Sequence, residues 1–449
     1  MNARQAFPAA PAQVSACDPA ADVHNPPAGS RPDPGRRHWL RAAALLALPR
    51  TAFVHATPAA PRLLVLGGGW GGLAAAKTLR ALLPDADITL IDRQTRFVSL
   101  PLSNRWLVDQ VDEAALVRDR AATARAAGYR FVAAEVLAVD RAARQVDTGA
   151  GRFAYDWLVA APGLREDFSP WFGVDRDRAA RCRAECPSGF DGPAGLGRLK
   201  ALLREFRGGD LLMNIPQLPY RCPPAPYERA LLIADWLRRE KRPGRLVILD
   251  PNLPALAFDR VFRDSDRDRI LYLPQTGLRQ IDLAQRRVVS DFDTLDFTAA
   301  ILMPPQRAAS FPGLADATDA PWLPVVPDSL QLAGDERVFV VGDAIDRVSP
   351  LFGHYPKTGQ MAVRQGQLAA RQIAARITGH PAATTLPDST CIVIQRAQPL
   401  EMTRIDTRYR RRGDGEIVQT VQQQRLPQAS DEDQRWAQGM FAELGLLDG

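Results

Sequence analysis

Apolar runs that end in glycine or proline recur along this chain, and most of them lead into a helical pattern. The first is "RLLVLGGGWGGLAAAKTLRALLPDADITLIDR", residues 62–93. It predicts a strand, a glycine turn, a helix with apolar residues at helical spacing, and a second strand ending at Asp92. "YDWLVAAPG" (155–163) predicts a strand that closes on a Pro162–Gly163 turn. "LLMNIPQLPYRCPPAPYERALLIADWLRR" (211–239) predicts a short apolar strand, a proline-rich loop and a helix. "DERVFVVGDAID" (335–346) predicts a strand ending at Gly342–Asp343, and "PKTGQMAVRQGQLAARQIAARI" adds a helix from about Gly359. Strand–turn–helix units in series predict an α/β fold with parallel sheets.

The turns carry the candidate chemistry. Gly67, Gly69 and Gly72 have G-x-G-x-x-G spacing between a strand and a helix. Glycine at the first position permits the tight turn, and at the second lets the backbone approach a pyrophosphate. At the third it lets helix and strand pack closely. The phosphates sit at the positive helix N-terminus. Asp92 is placed to accept hydrogen bonds from ribose hydroxyls. The late Gly342–Asp343 turn matches a split FAD domain, with the nucleotide half early and the ribityl and isoalloxazine half late. Taken alone, Asp343 reads equally well as a turn aspartate. The helix from Gly359 is expected to aim its positive end at the flavin. The 211–239 unit differs: five prolines and Cys222 stand where a phosphate loop would carry glycines.

Composition narrows the class. The chain has 449 residues, 46% of them apolar, enough for a large core in two to three domains. The net charge is +6, but the first 56 residues hold six arginines against three aspartates, so no nucleic-acid partner is expected. Arg36 and Arg37 precede an apolar run and Val54-His55-Ala56, the layout of a twin-arginine export signal. The alternative is a disordered basic tail. That run is too short to span a bilayer, and no other stretch reaches about 18 apolar residues. A periplasmic protein without an integral membrane segment is expected. Beyond the signal, four cysteines remain: Cys182, Cys186, Cys222 and Cys391. No CxxC or CxxCH occurs, so no haem or zinc site is expected. Only His354 and His380 survive cleavage, too few for a histidine-based metal site.

The motifs "LGGGWGGLAAAKTL", "LPLSN", "LVAAPG", "PYRCPPAPYERA", "MPPQRA", "VFVVGDA", "PKTG" and "STC" together resemble the flavoprotein subunit of flavocytochrome c sulfide dehydrogenase. That family is a relative of the sulfide:quinone oxidoreductases and of two-dinucleotide-domain flavin reductases. The resemblance implies two Rossmann-like domains, the FAD domain split in sequence and the second without a glycine-rich loop, plus a small C-terminal α+β domain. The expected boundaries are 60–165 and 299–380 for the FAD domain, 166–298 for the central domain and 385–449 for the last. It also implies Ser103, Asn104, Pro162, Gly163, Gly342, Asp343, Lys357 and Gly359 as cofactor-site residues, beside Gly67, Gly69, Gly72 and Asp92.

Relatives that use NAD(P)H carry a second glycine-rich loop in the central domain. Here prolines replace it, and proline has no N–H to give a phosphate, so no NAD(P)H is expected. By resemblance, Cys222 pairs with Cys391 in a redox disulfide that sulfide opens to a persulfide and a thiolate, with Glu228 managing protons. The pair also reads as a structural disulfide, and Glu228 as a first-turn helix residue. Members of the family can carry FAD on a cysteine where this chain has Leu100, so non-covalent FAD is expected. A c-type cytochrome is the implied acceptor. Alternatives are a sulfide:quinone oxidoreductase at the membrane face, using the tail "WAQGMFAELGLL", and a non-catalytic sulfur-binding partner. The tail departs from the family's aromatic pattern. Cys182 and Cys186 lie outside the family pattern, in a stretch that reads as a loop. They predict an extra disulfide or, alternatively, exposed redox thiols.

Overall fold

The computed structural model describes residues 60–446 apart from 265, 316–319 and 382–384; the expected export signal lies outside them. Two parallel sheets form its framework. The first has five strands in the order Val338–Val340, Trp157–Ala160, Arg62–Leu66, Asp87–Asp92 and Arg130–Ala133. All but the edge strand Arg130–Ala133 are almost wholly buried, which is why they read as continuous apolar runs rather than as alternation. Strands from the start, middle and end of the chain meet here, as a split dinucleotide domain requires.

Two helices on one face decide where the site opens. Trp70–Leu82 and Gly359–Thr378 cross closely at glycine and alanine. A Cβ built on Gly366 would lie 2.2 Å from the Gly71 carbonyl oxygen, so only glycine permits this approach. The crossing puts both helix N-termini at the same end of the sheet, beyond the strand ends.

The second sheet orders Ile270–Pro274, Arg245–Asp250, Asp210–Asn214 and Ala299–Ile301, all parallel. The helix Ala225–Arg239 follows its Asp210–Asn214 strand through the proline loop. The central sheet therefore runs past the expected boundary at 298. Ala299–Ile301 pairs with Leu211–Met213, and the Thr298 N–H bonds the Asp210 carbonyl at 2.9 Å. An apolar triplet is more stable paired inside this sheet than as a linker.

A three-stranded antiparallel sheet, Ser389–Arg396, Glu401–Arg411 and Ile417–Leu426, follows. The chain closes with the helix Glu432–Leu444. The tail is not a free amphipathic segment: Ala437, Met440, Phe441 and Leu444 are buried, and Phe441 stacks on Trp70 with centroids 5.5 Å apart. The stretch around Cys182 is not a loop either. Arg176–Glu185 is a helix capped by Asp175, and Cys182 and Cys186 are buried against the central sheet with Leu212, Val247 and Ala300. Exposed redox thiols are thereby ruled out. No described helix is long and apolar enough to cross a membrane.

Candidate active site

The glycines of the first turn behave as their spacing requires. Gly67 has φ +95°, and a Cβ there would lie 2.3 Å from the Ala161 carbonyl oxygen. A Cβ on Gly72 would lie 1.8 Å from the Gly67 carbonyl oxygen. A Cβ on Gly69 meets nothing within 4 Å, because it enters a cleft. Asp92 closes the turn: its carboxylate accepts from the Gly68 N–H at 2.6 Å and the Gln94 N–H at 2.7 Å.

The cleft runs from Gly69 and Trp70 to Gly342, Asp343 and Gly359, and on to Cys222 and Cys391. Ser103, Asn104 and Gly163 line it as well. The Thr358 hydroxyl caps the helix at Gly359 by accepting from the Met361 N–H. Two helix N-termini, Trp70 and Gly359, thus open into one cleft. This arrangement fits a dinucleotide whose diphosphate meets the first and whose electron-rich ring meets the second. Pro162 follows Ala161 at the end of its strand, beside the cleft.

Like Asp92, and like Asp343 with its Arg221 partner, Asn104 and Lys357 are expected cofactor residues engaged inside the protein. Asn104 donates to Glu228 Oε1 at 2.9 Å and to the Ala225 carbonyl at 3.1 Å, and accepts from Arg229 Nε. Its amide joins the FAD domain to the helix behind Cys222. The Lys357 ammonium donates to the carbonyls of Asp343 and Ile345, and burial lowers its pKa to about 8. Lys357 braces the Asp343 turn and meets Cys222 through its backbone: its carbonyl accepts from the Cys222 N–H at 2.9 Å.

Cys222 sits in the left-handed region at φ +47°, a strained setting for a side-chain-bearing residue. Its thiol and that of Cys391 are free in this structure and line the same cleft, close enough for Cys222 to perturb Cys391. That proximity, burial and the neighbouring Glu228 all raise the Cys391 pKa. Glu228 is half-buried in the first turn of its helix. Its Oε2 accepts from the Ile394 N–H at 2.9 Å, and burial pushes its pKa up to about 7.

Several groups at the site were not singled out from sequence. Arg221 bonds Asp343 at 2.8 Å and ties the cysteine loop to the late FAD half. Arg105 pairs with Asp433 at 2.6 Å, both buried, so the tail helix closes the cleft together with Trp436. Arg229 and Glu166 lie behind Cys222. Glu166 is bonded by the Ser188 hydroxyl, and burial raises its pKa to about 7. No motif marks them, because arginine and aspartate are common throughout the chain.

In the central domain, Asp250 ends the second strand, where a nicotinamide-binding Rossmann unit keeps its ribose acid. Here it is fully buried. Its Oδ2 accepts from Tyr227 and Tyr272 hydroxyls at 2.6 and 2.7 Å, and its Oδ1 from the Asn252 backbone and side chain.

Comparison with known proteins agrees with this architecture. The family described as sulfide dehydrogenase [flavocytochrome c] flavoprotein chain, central, matches residues 198–304. The pyridine nucleotide-disulphide oxidoreductase family matches residues 61–184. The flavoprotein chain of sulfide dehydrogenase [flavocytochrome c] from Chlorobaculum thiosulfatiphilum is 49% identical over 43 residues, 10% of this chain and 90% of that sequence. Terpredoxin reductase from a Pseudomonas species is 30% identical over 132 residues, 27% of this chain and 32% of that protein. Among solved structures, the sulfide:quinone oxidoreductase of Aquifex aeolicus superimposes with a TM-score of 0.65 at 19% identity, over 86% of this chain and 90% of that one. An NAD-dependent persulfide reductase from A. fulgidus gives 0.59 at 15% identity, over 86% and 76%. At these identities the structures speak for the fold alone. The chain is a flavoprotein oxidoreductase that belongs to the family of the flavocytochrome c sulfide dehydrogenase flavoprotein chains.

Proposed function

We propose that the protein is a periplasmic sulfide dehydrogenase that oxidises sulfide at a Cys222–Cys391 disulfide and passes the electrons through non-covalent FAD to a c-type cytochrome. One observation carries the reading: two thiols 169 positions apart in sequence come together as neighbours inside the cleft that the two helix N-termini share. Leu100 lines the same cleft and offers no thiol for covalent attachment.

Hydrosulfide attack on the disulfide forms one S–S bond and breaks another. It leaves a persulfide on one cysteine and a thiolate on its partner. Glu228, poised near neutrality by burial, takes up the persulfide proton at its carboxylate. Bound FAD supplies the two-electron acceptor for this sulfur pair and releases electrons singly to a haem protein. Gly69, Gly163, Asp343 and the Gly359 helix end would hold that cofactor.

The acceptor is read as a cytochrome rather than a quinone because the apolar side of the tail helix, Ala437, Met440, Phe441 and Leu444, packs inward, Phe441 on Trp70 and Phe97. NAD(P)H is read as excluded because the prolines deny a phosphate its N–H donors and Asp250 has its acceptors filled. Anaerobic sulfide titration of the purified protein tests the reading. Sulfide should bleach the flavin band, and added cytochrome c should restore it while becoming reduced. A flavin band untouched by sulfide sinks the proposal.

A further inference from the structure

Arg229 heads the largest wholly enclosed side chains among the described residues, with 1% of its surface exposed. Its guanidinium is held by neutral acceptors: Nε donates to Asn104 Oδ1 at 3.1 Å, and Nη1 donates to the Ser188 carbonyl. The Phe190 ring lies 5.0 Å from its Cζ. Among the described residues no ion pair joins it to a carboxylate. A buried cation without an anion is costly. A site that creates an anion during turnover gives a reason to keep one.

Three acidic groups lie near Arg229: Glu228 and Cys222, which line the same cleft as Arg229, and Glu166. Glu228 is engaged by Asn104 and Ile394, and Glu166 by Ser188. Cys222 is the group that the proposed reaction turns into an anion. The charged and titratable groups around Cys222 come from several elements. They are Tyr220 and Arg221 in its own loop, Glu228 and Arg229 on the following helix, Cys391 on its strand, and Lys357 before the Gly359 helix. Arg221 is already paired with Asp343, and the Lys357 ammonium is spent on two carbonyls.

We propose that Arg229 is the buried counter-cation of the thiolate that disulfide opening leaves on Cys222, a proposal that rests on the dithiol reading above. Hydrosulfide brings one negative charge. The new S–S bond forms at Cys391, which carries the persulfide, and the electron pair of the broken bond stays on Cys222. The half-buried Cys222 thiolate at the cleft wall and the enclosed guanidinium then form a neutral pair.

The test is alkylation of Cys222 by iodoacetamide in the reduced protein, followed by peptide mass spectrometry and independent of turnover. Arg229→Met should slow the reaction about tenfold at about pH 7, the weight of one pKa unit, with Arg229→Lys in between. The rates should converge at about pH 10, above the ordinary cysteine pKa of about 8.5. Equal rates at about pH 7, or a slowing undiminished at about pH 10, would overturn the proposal. If Arg229→Met does not fold, the wild-type protein still decides. Iodoacetate should gain on iodoacetamide at Cys222 relative to the unfolded chain, and no gain overturns the idea. Flavin reduction by sulfide surviving in Cys222→Ser would sink the dithiol reading itself.

Discussion

The Glu228 carboxylate accepts a hydrogen bond from the Ile394 N–H at 2.9 Å, and Ile394 lies three residues past Cys391. One side chain therefore clamps the helix that follows Cys222 to the strand that carries Cys391. The same carboxylate is raised to about 7 by burial, so position and protonation are set by one residue.

Glu228→Gln should lower sulfide-dependent flavin reduction about 10²-fold and flatten its pH dependence near neutrality. The stability profile should change as well. Because the folded-state pKa lies above the ordinary value, the folded protein binds more protons than the unfolded chain between about pH 4.5 and 7. Glu228 thus makes stability fall as pH rises through that window, by about 3 kcal/mol in total, and the penalty stays constant above it. The variant should lose this part of the slope, although Glu166, also near 7, keeps its own. Thermal melts across that window check it, and parallel curves for the two proteins would refute the assignment.

Cys222→Ser and Cys391→Ser should each abolish flavin reduction by sulfide while FAD stays bound. A purely structural pair would give the opposite pattern: turnover at permissive temperature, and a stability loss of roughly 2–5 kcal/mol. Stopped-flow absorbance combined with melting curves distinguishes the two.

Gly69→Ala should fold normally and bind FAD less tightly, because its Cβ points into the cleft and meets no protein atom within 4 Å. Gly72→Ala should fail to fold or melt far earlier, because its Cβ meets the Gly67 carbonyl oxygen at 1.8 Å. Equal FAD affinity for Gly69→Ala and wild type would argue that the diphosphate lies elsewhere.

Acid or heat denaturation should release the flavin into solution, since Leu100 offers no sulfur. Yellow colour retained in the precipitate would point to another covalent anchor.

NADH and NADPH should leave the flavin band unchanged on the timescale on which sulfide bleaches it. Rapid bleaching by NADH would mean that Asp250 is released from Tyr227 and Tyr272, and the exclusion argued here would fail.

The early Rossmann unit is legible because its determinants are local. Strand, glycine turn, helix and Asp92 lie within 31 consecutive residues, 62–92, and the backbone sterics at Gly72 follow from those residues alone, while Gly67 also meets Ala161 on the neighbouring strand. The late Gly342–Asp343 turn was legible for the same reason, and family resemblance supplied the cysteine pairing. The central boundary was not legible, because whether 299–301 is a linker or a strand depends on the free edge beside Leu211–Met213. The helix at Cys182 was missed because half of its exposed positions are arginine and its buried side is the single residue Cys182.

By itself, then, the sequence determined a dinucleotide-binding α/β protein with a proline-bound cysteine in place of a second phosphate loop. Tertiary structure alone decided which distant groups meet. Cys391 comes beside Cys222, Arg105 finds Asp433, the tail helix stacks Phe441 on Trp70, and Arg229 is enclosed with no ion pair to a carboxylate among the described residues. The physical reason is range. Turn and helix preferences act over a few residues, whereas burial and ion pairing act between surfaces that become neighbours only when the two sheets and the C-terminal strands pack together.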